Sequence, residues 1–192
     1  MSYAGIAFVF VFIDNAALHA LFGLGEAADP KGSRWPESLA IFALATSIGL
    51  LGGLASWALS LIGLEFASSW IMLALAFLLF LGLKAAARKI FPGTSAKLNE
   101  SLMRIESSGI VYAIGIIVSG ARLDPLRSVA AGLAAALGHF AAVFALRRVM
   151  KRLSLEPVPE AFKGIPILLL SAGLMALAFS AFDRGLLGGI LP

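Results

Sequence analysis

The chain has 192 residues, 60% of them hydrophobic and 14% charged, with a formal net charge of +4 and a mean hydropathy of +0.95. A soluble domain is about half apolar and about a quarter charged, so the composition excludes an ordinary water-soluble fold and points to an integral membrane protein. No cysteine is present, which excludes disulfides, thiolate-held metals and cysteine nucleophiles.

The first apolar run covers 3–23. No Lys or Arg precedes Lys31, so the run lacks the basic lead of a secretory signal and is expected to remain as a first span. Its middle reads "FIDNAALHA", which puts Asp14, Asn15 and His19 where the bilayer is driest. A carboxylate at bilayer centre costs about 2.5–3.5 kcal/mol on insertion scales, against about 0.3–0.6 gained for each Leu or Phe. Asp14 must therefore face protein, water or a partner charge, and a short or broken helix is expected there. Residues 38–62 and 66–87 read as the second and third spans. In "GLLGG", Gly49, Gly52 and Gly53 suit close helix–helix contact, within the molecule before any dimer face, and Gly185 and Gly189 suit the same role.

The fourth element stops short. In "RIESSGIVYAIG" a charged and hydroxylated cluster precedes an apolar run, 109–118, of about ten residues. That is roughly 15 Å of helix, half of a ~30 Å hydrocarbon core. To reach full length the span must absorb Glu100, Arg104 and Glu106. Otherwise it is a half-helix from Ser108 inward, entered by a re-entrant or surface-lying segment. Glu106 either joins Ser107 and Ser108 in a polar site or pairs with a neighbouring helix or with Arg104. Residues 128–148 and 164–182 complete six spans. His139, in the fifth, is expected to be a core histidine bonded to a carbonyl. Two histidines, His19 and His139, make no metal site without a nearby carboxylate. No phosphate loop, dinucleotide fingerprint or nucleophile elbow occurs.

Six spans leave three loops on one side and two loops plus both termini on the other. Twelve of the fifteen Lys and Arg fall on the first side, in the groups Lys31 and Arg34, Lys84 to Arg104, and Arg147 to Lys163. Only Arg122, Arg127 and Arg184 fall on the other. The positive-inside rule then predicts both termini outside, in a bacterial-type inner (cytoplasmic) membrane. The net charge reads as topology and contact with anionic lipid, with no nucleic-acid partner. The two polar interruptions lie in the first helix of each three-span half, about 1–90 and 91–192 of a single membrane domain. Interrupted helices at corresponding places of inverted halves point to a midplane site. The fold expected is all-α, six transmembrane helices in two inverted three-helix repeats, the first and fourth broken. Its polar midplane site is Asp14, Asn15, His19, Glu106, Ser107 and Ser108.

The tail "VPEAFKGIPILLLSAGLMALAFSAF" resembles the end of the RnfA/NqrE-type membrane subunits of the Rnf and Na+-translocating NADH:quinone reductase complexes. "DNAALHALFGLG" is similar to the first-span pattern of that family, in which Asn-Asn precedes Phe-Leu-Gly-Leu-Cys-Pro. "LASWAL" is similar to its second span. "FPGTSAKLNESLMRIESSGIVYAIG" falls where the family has Thr-Thr-Asn-Cys-Ala-Val-Leu-Gly. The resemblance implies two half-helices that each bring a cysteine to the midplane, where an inverted sister subunit supplies two more for an iron–sulfur cluster. Here Gly25, followed by Glu26, and Gly109 occupy those cysteine positions. Glycine has no ligand atom, so no cofactor is expected on this chain, and no metal.

These readings imply a cofactor-free subunit of an Rnf/Nqr-like ion-translocating electron transport complex. It would serve as scaffold or ion-path lining beside an inverted sister subunit, a non-catalytic part of an oxidoreductase. The alternatives are a stand-alone homodimeric carrier for a small solute or cation, built on the same breaks, and an assembly factor.

Overall fold

The computed structural model describes residues 2–15, 17–18, 24, 35–90 and 95–182, and every described element is helical or a turn. The chain runs through α1 (Tyr3–Phe8), which widens into a π-turn at Val9–Ile13, then α2 (Trp35–Leu61) and α3 (Ser68–Ile90). It continues through α4 (Ser95–Ser108), α5 (Ile110–Gly120), α6 (Pro125–Leu153) and α7 (Ile165–Phe182). The all-helical expectation holds among the described residues. Among them, three helices are long and apolar enough to cross a bilayer, within Ala43–Leu61, Ser68–Ile90 and Pro125–Leu153. The pair Asn99–Ser107 and Ile110–Gly120, bent by 53°, makes a fourth if taken as one broken span. Tyr3–Ile13 and Ile165–Phe179 are apolar but shorter.

Local chemistry explains where these helices begin and end. Asp124 caps α6 by accepting from the Arg127 N–H at 3.2 Å, and Pro125 takes the first helical position, where no N–H is needed. This moves the start of the helix ahead of 128. Its far end runs past Arg148 to Lys151 and Arg152, cations placed at the negative end of the helix dipole. α3 ends on Arg88 and Lys89 in the same way.

α2 and α6 form the most extensive helix pair, and glycine makes it close. A Cβ on Gly49 would stand 2.7 Å from the Ser128 carbonyl oxygen and 3.2 Å from Gly132 Cα. One on Gly132 would stand 2.7 Å from the Ala45 oxygen. With no Cβ on either side the two backbones meet directly, which suits a bilayer, where apolar burial alone gives no drive to associate. Gly49 and Gly53 thus serve intramolecular packing, as expected from "GLLGG". Gly185 and Gly189 lie outside the described residues.

α5 sits against α2 and α3. One core cluster joins Ile48, Met72, Ala76, Phe80, Ile110 and Ile114 to Ile6 and Phe10 of the first helix. A second gathers Ala17, Leu18 and Leu24 with Leu146 of α6 and Leu168 of α7. Large apolar side chains also cover the outside, among them Phe77, Leu78, Phe144, Leu174 and Leu177. Patches of that kind mark a surface made for lipid.

Candidate functional site at two helix breaks

The first break begins with the π-turn. The Asp14 N–H donates to the Val9 carbonyl at 2.8 Å, a bond across five residues, and Asp14 then leaves helical geometry at φ −87°, ψ 40°. Asn15, 3% exposed, closes the gap from both sides. Its Nδ2 donates to the Val11 carbonyl at 2.8 Å. Its Oδ1 accepts from the N–H groups of Ala17 at 3.0 Å and Leu18 at 3.2 Å. One amide therefore satisfies a carbonyl left over from the first segment and two N–H groups that open the next. Backbone polar groups at membrane depth require such partners. α6 makes room for the arrangement. A Cβ on Gly138 would stand 2.7 Å from the Val11 oxygen and 2.9 Å from Asn15 Nδ2.

The second break is at Gly109, which has φ +70° and ψ −3°. Its N–H donates to the Glu106 carbonyl at 3.2 Å, and its own carbonyl accepts from Ala113 at 3.0 Å, so α4 ends and α5 begins on one residue. The left-handed conformation is open to glycine and costs other L-residues about 1–2 kcal/mol. α4 is amphipathic: Leu102 and Ile105 are buried while Met103 and Arg104 are exposed. The lead into the half-helix is thus a helix set at 53° to it, and α5 supplies about 16 Å of apolar length from there.

A charged cluster lies against this second break. Glu106 forms an ion pair with the Lys84 ammonium of α3, the two side chains 21% and 19% exposed. The Tyr112 hydroxyl donates to Glu106 Oε1 at 3.4 Å. Phe80 and Lys84 lie one helical turn apart, so α3 presents ring and ammonium on one face. The Phe80 ring rests against Tyr112 at 5.7 Å between centroids. Glu106 therefore pairs with the neighbouring helix. Arg104 instead reaches Glu100 at 3.1 Å.

Of the residues singled out from the sequence, Asp14 and Asn15 sit at the first break and Glu106 and Ser107 at the second. The Ser107 hydroxyl donates to the Arg104 carbonyl at 2.9 Å, and Ser108 is the last residue of α4. His19 and Gly25 lie outside the described residues. The first helix and its π-turn pack on α6, whereas α4 and α5 pack on α3 and α2, so the two breaks have different neighbours. His139 is fully buried in α6, its ring edge-on to Phe140. Lys84, Tyr112 and Gly138 were not foreseen as parts of either site. Lys84 reads in sequence as a loop-side anchor, and the only signal for it was the need of Glu106 for a cation.

The residues present do not fit an iron–sulfur cluster. The chain has no thiolate, and Gly109 at the helix tip has no side chain and is followed by the fully buried Ile110 and Val111. Among the described residues no group of three His, Asp or Glu is placed to hold a metal ion.

No family model matches the chain. It is similar to a subunit of the Na(+)-translocating ferredoxin:NAD(+) oxidoreductase complex of Acetobacterium woodii, 33% identical over 101 residues, 53% of each chain. It is similar to the corresponding subunit of the ion-translocating oxidoreductase complex of an Azoarcus species, 33% identical over 95 residues, 50% of this chain and 49% of the other. The same subunit of the proton-translocating ferredoxin:NAD(+) oxidoreductase complex of Clostridium ljungdahlii is 29% identical over 82 residues, 43% of this chain and 42% of the other. The chain spans about half the length of the curated relatives it matches. Over that half, the chain is a relative of the RnfA/NqrE-type membrane subunits that its sequence resembles.

Proposed function

We propose that the chain is a membrane subunit of an Rnf- or Nqr-like ion-translocating electron transport complex, that it holds no cluster, and that it lines part of an ion path beside an inverted sister subunit. The observation that carries this reading is the Lys84–Glu106–Tyr112 cluster set against the broken helix at Gly109. An ionisable pair beside irregular backbone, in a bundle otherwise coated with apolar side chains, is expensive to keep unless it serves a pathway. The printed names of the relatives support the setting, an ion-translocating membrane complex.

In this reading six spans form two inverted halves in a bacterial-type inner membrane, with both termini outside. Asp14, Asn15, His19, Glu106, Ser107 and Ser108 contribute the polar surface. The Lys84 ammonium neutralises Glu106 at rest. A passing cation or proton reaches that carboxylate by displacing Lys84, so occupancy is a competition and the site is closed to a lone ion.

Purification in mild detergent tests the setting. Stoichiometric recovery with flavin- or iron–sulfur-bearing subunits is expected; a lone particle that binds a solute would favour the homodimeric carrier instead. In the assembled complex, Glu106→Gln should lower ion movement while subunit stoichiometry is kept. If neither Asp14→Leu nor Glu106→Gln changes assembly or ion movement, the assignment of the polar residues is wrong. Iron and a visible iron–sulfur spectrum in the purified chain alone would overturn the cluster-free reading.

A further inference from the structure

A cavity of about 260 Å³ opens at the end of the bundle away from Arg88, Lys89, Lys151 and Arg152. It lies between the turn from α2 to α3 and the turn from α5 to α6. Ser56, Trp57, Ser60, Ser68, Arg122, Leu123 and Asp124 line it. The hydroxyls of Ser56 and Ser60 are already committed as donors, to the Ser119 carbonyl at 3.3 Å and the Trp57 carbonyl at 2.6 Å. Their oxygens can therefore only accept from an occupant. The Asp124 carboxylate is a further acceptor, beyond its cap to Arg127. Against these stands one strong donor, the Arg122 guanidinium. Arg122 is also the non-glycine residue held at positive φ, +49°, an outlier of the kind that gathers at binding sites.

The occupant must offer an anionic group to Arg122 and, close beside it, a cationic N–H group to the serines and Asp124. The rim adds its location. Trp57 is 55% exposed and Trp70 75% exposed near the same end, the placement of aromatic anchors at a membrane–water interface. A volume below the ~300 Å³ floor of whole-ligand pockets suits a headgroup whose chains stay in the bilayer.

We propose that this cavity binds the headgroup of a zwitterionic aminophospholipid, the phosphate on Arg122 and the ammonium on Asp124, Ser56 and Ser60. The inference is independent of the ion-path reading.

The test is lipid retention by the full chain in mild detergent, measured by native mass spectrometry. Phosphatidylethanolamine, phosphatidylcholine, phosphatidylglycerol and inorganic phosphate are offered in turn. Phosphatidylethanolamine should be retained about fivefold over phosphatidylglycerol, the size of one partly exposed charge contact. It should exceed phosphatidylcholine too, whose quaternary nitrogen has no N–H to donate. Two variants remove one charge each and spare the fold. Arg122→Gly removes the guanidinium and relaxes the positive φ, and should abolish retention of both phosphatidylethanolamine and phosphatidylglycerol. Asp124→Asn keeps an equally good helix cap, and should hold phosphatidylglycerol as well as phosphatidylethanolamine. Equal retention of the three lipids by the unaltered chain overturns the proposal, as does unchanged retention by Arg122→Gly. Displacement of the lipid by millimolar phosphate would make the cavity a simple anion site and sink the lipid assignment.

Discussion

Replacing Gly138 by alanine probes the first helix break from across the interface. The added methyl would stand 2.7 Å from the Val11 oxygen, 2.8 Å from Val11 Cα and 2.9 Å from Asn15 Nδ2. Two of those atoms are backbone and cannot swing aside. The third belongs to the side chain that holds both ends of the break. Overpacking of this kind costs about 1–3 kcal/mol, and forcing Nδ2 from the Val11 carbonyl forfeits a buried hydrogen bond, about 1 kcal/mol more. Alanine recovers about 1 kcal/mol through its better helix propensity. The net expectation is destabilisation of about 2 kcal/mol, near thirtyfold in the unfolding equilibrium. Denaturant unfolding in mild detergent reads the total. Hydrogen exchange at the Ala17 and Leu18 amides reads the local part, since both donate to Asn15 and should exchange faster. Gly173→Ala is the control, because nothing lies within 4 Å of a Cβ there, and it should be neutral or slightly stabilising. If Gly138→Ala matches that control in stability and leaves both amides protected, the account of the break is refuted.

Three further outcomes follow from the same geometry. Lys84→Met should destabilise more than the double variant Lys84→Met/Glu106→Gln, because the single change strands a half-buried carboxylate; a double-mutant cycle in thermal unfolding measures the coupling. Gly49→Ala should lower stability by about 1–2 kcal/mol through contact with the Ser128 oxygen and Gly132 Cα, whereas Gly82→Ala, with open space around it, should not; equal midpoints would contradict the close α2–α6 crossing. Gly109→Val should cost more than Gly109→Asn in the same assay, since asparagine tolerates the left-handed conformation and a β-branched residue does not.

Where the helices run was legible because each apolar stretch is bounded by charge or proline. The interruption in the fourth element was legible for a related reason: Gly109 sits where "RIESS" meets "IVYAIG", and an apolar run too short to span has to end in a break. Asp14 and Asn15 also announced themselves by their cost in a span. What they do there was hidden. An asparagine that donates backward and accepts forward depends on the chain turning at that residue, which no spacing reveals. Lys84 was hidden for another reason. It stands 22 residues from Glu106, and only the packing of α3 on α4 and α5 brings ammonium to carboxylate. Gly132 and Gly138 sit in an Ala- and Gly-rich run where every residue looks permissive, so the two positions that meet backbone cannot be told from their neighbours.

The wide turn at Val9–Ile13 holds one residue more than an α-helix of the same rise would use. Each residue advances a helix by about 100°, so deleting one between Phe10 and Phe12 would close the turn and swing Tyr3, Ile6 and Phe8 round the axis by that amount. Ile6, now fully buried, would leave its seat. The first helix therefore carries an insertion whose phase the rest of the bundle has been built to match, and a length change of one residue there should be tolerated less well than in the turn from α6 to α7.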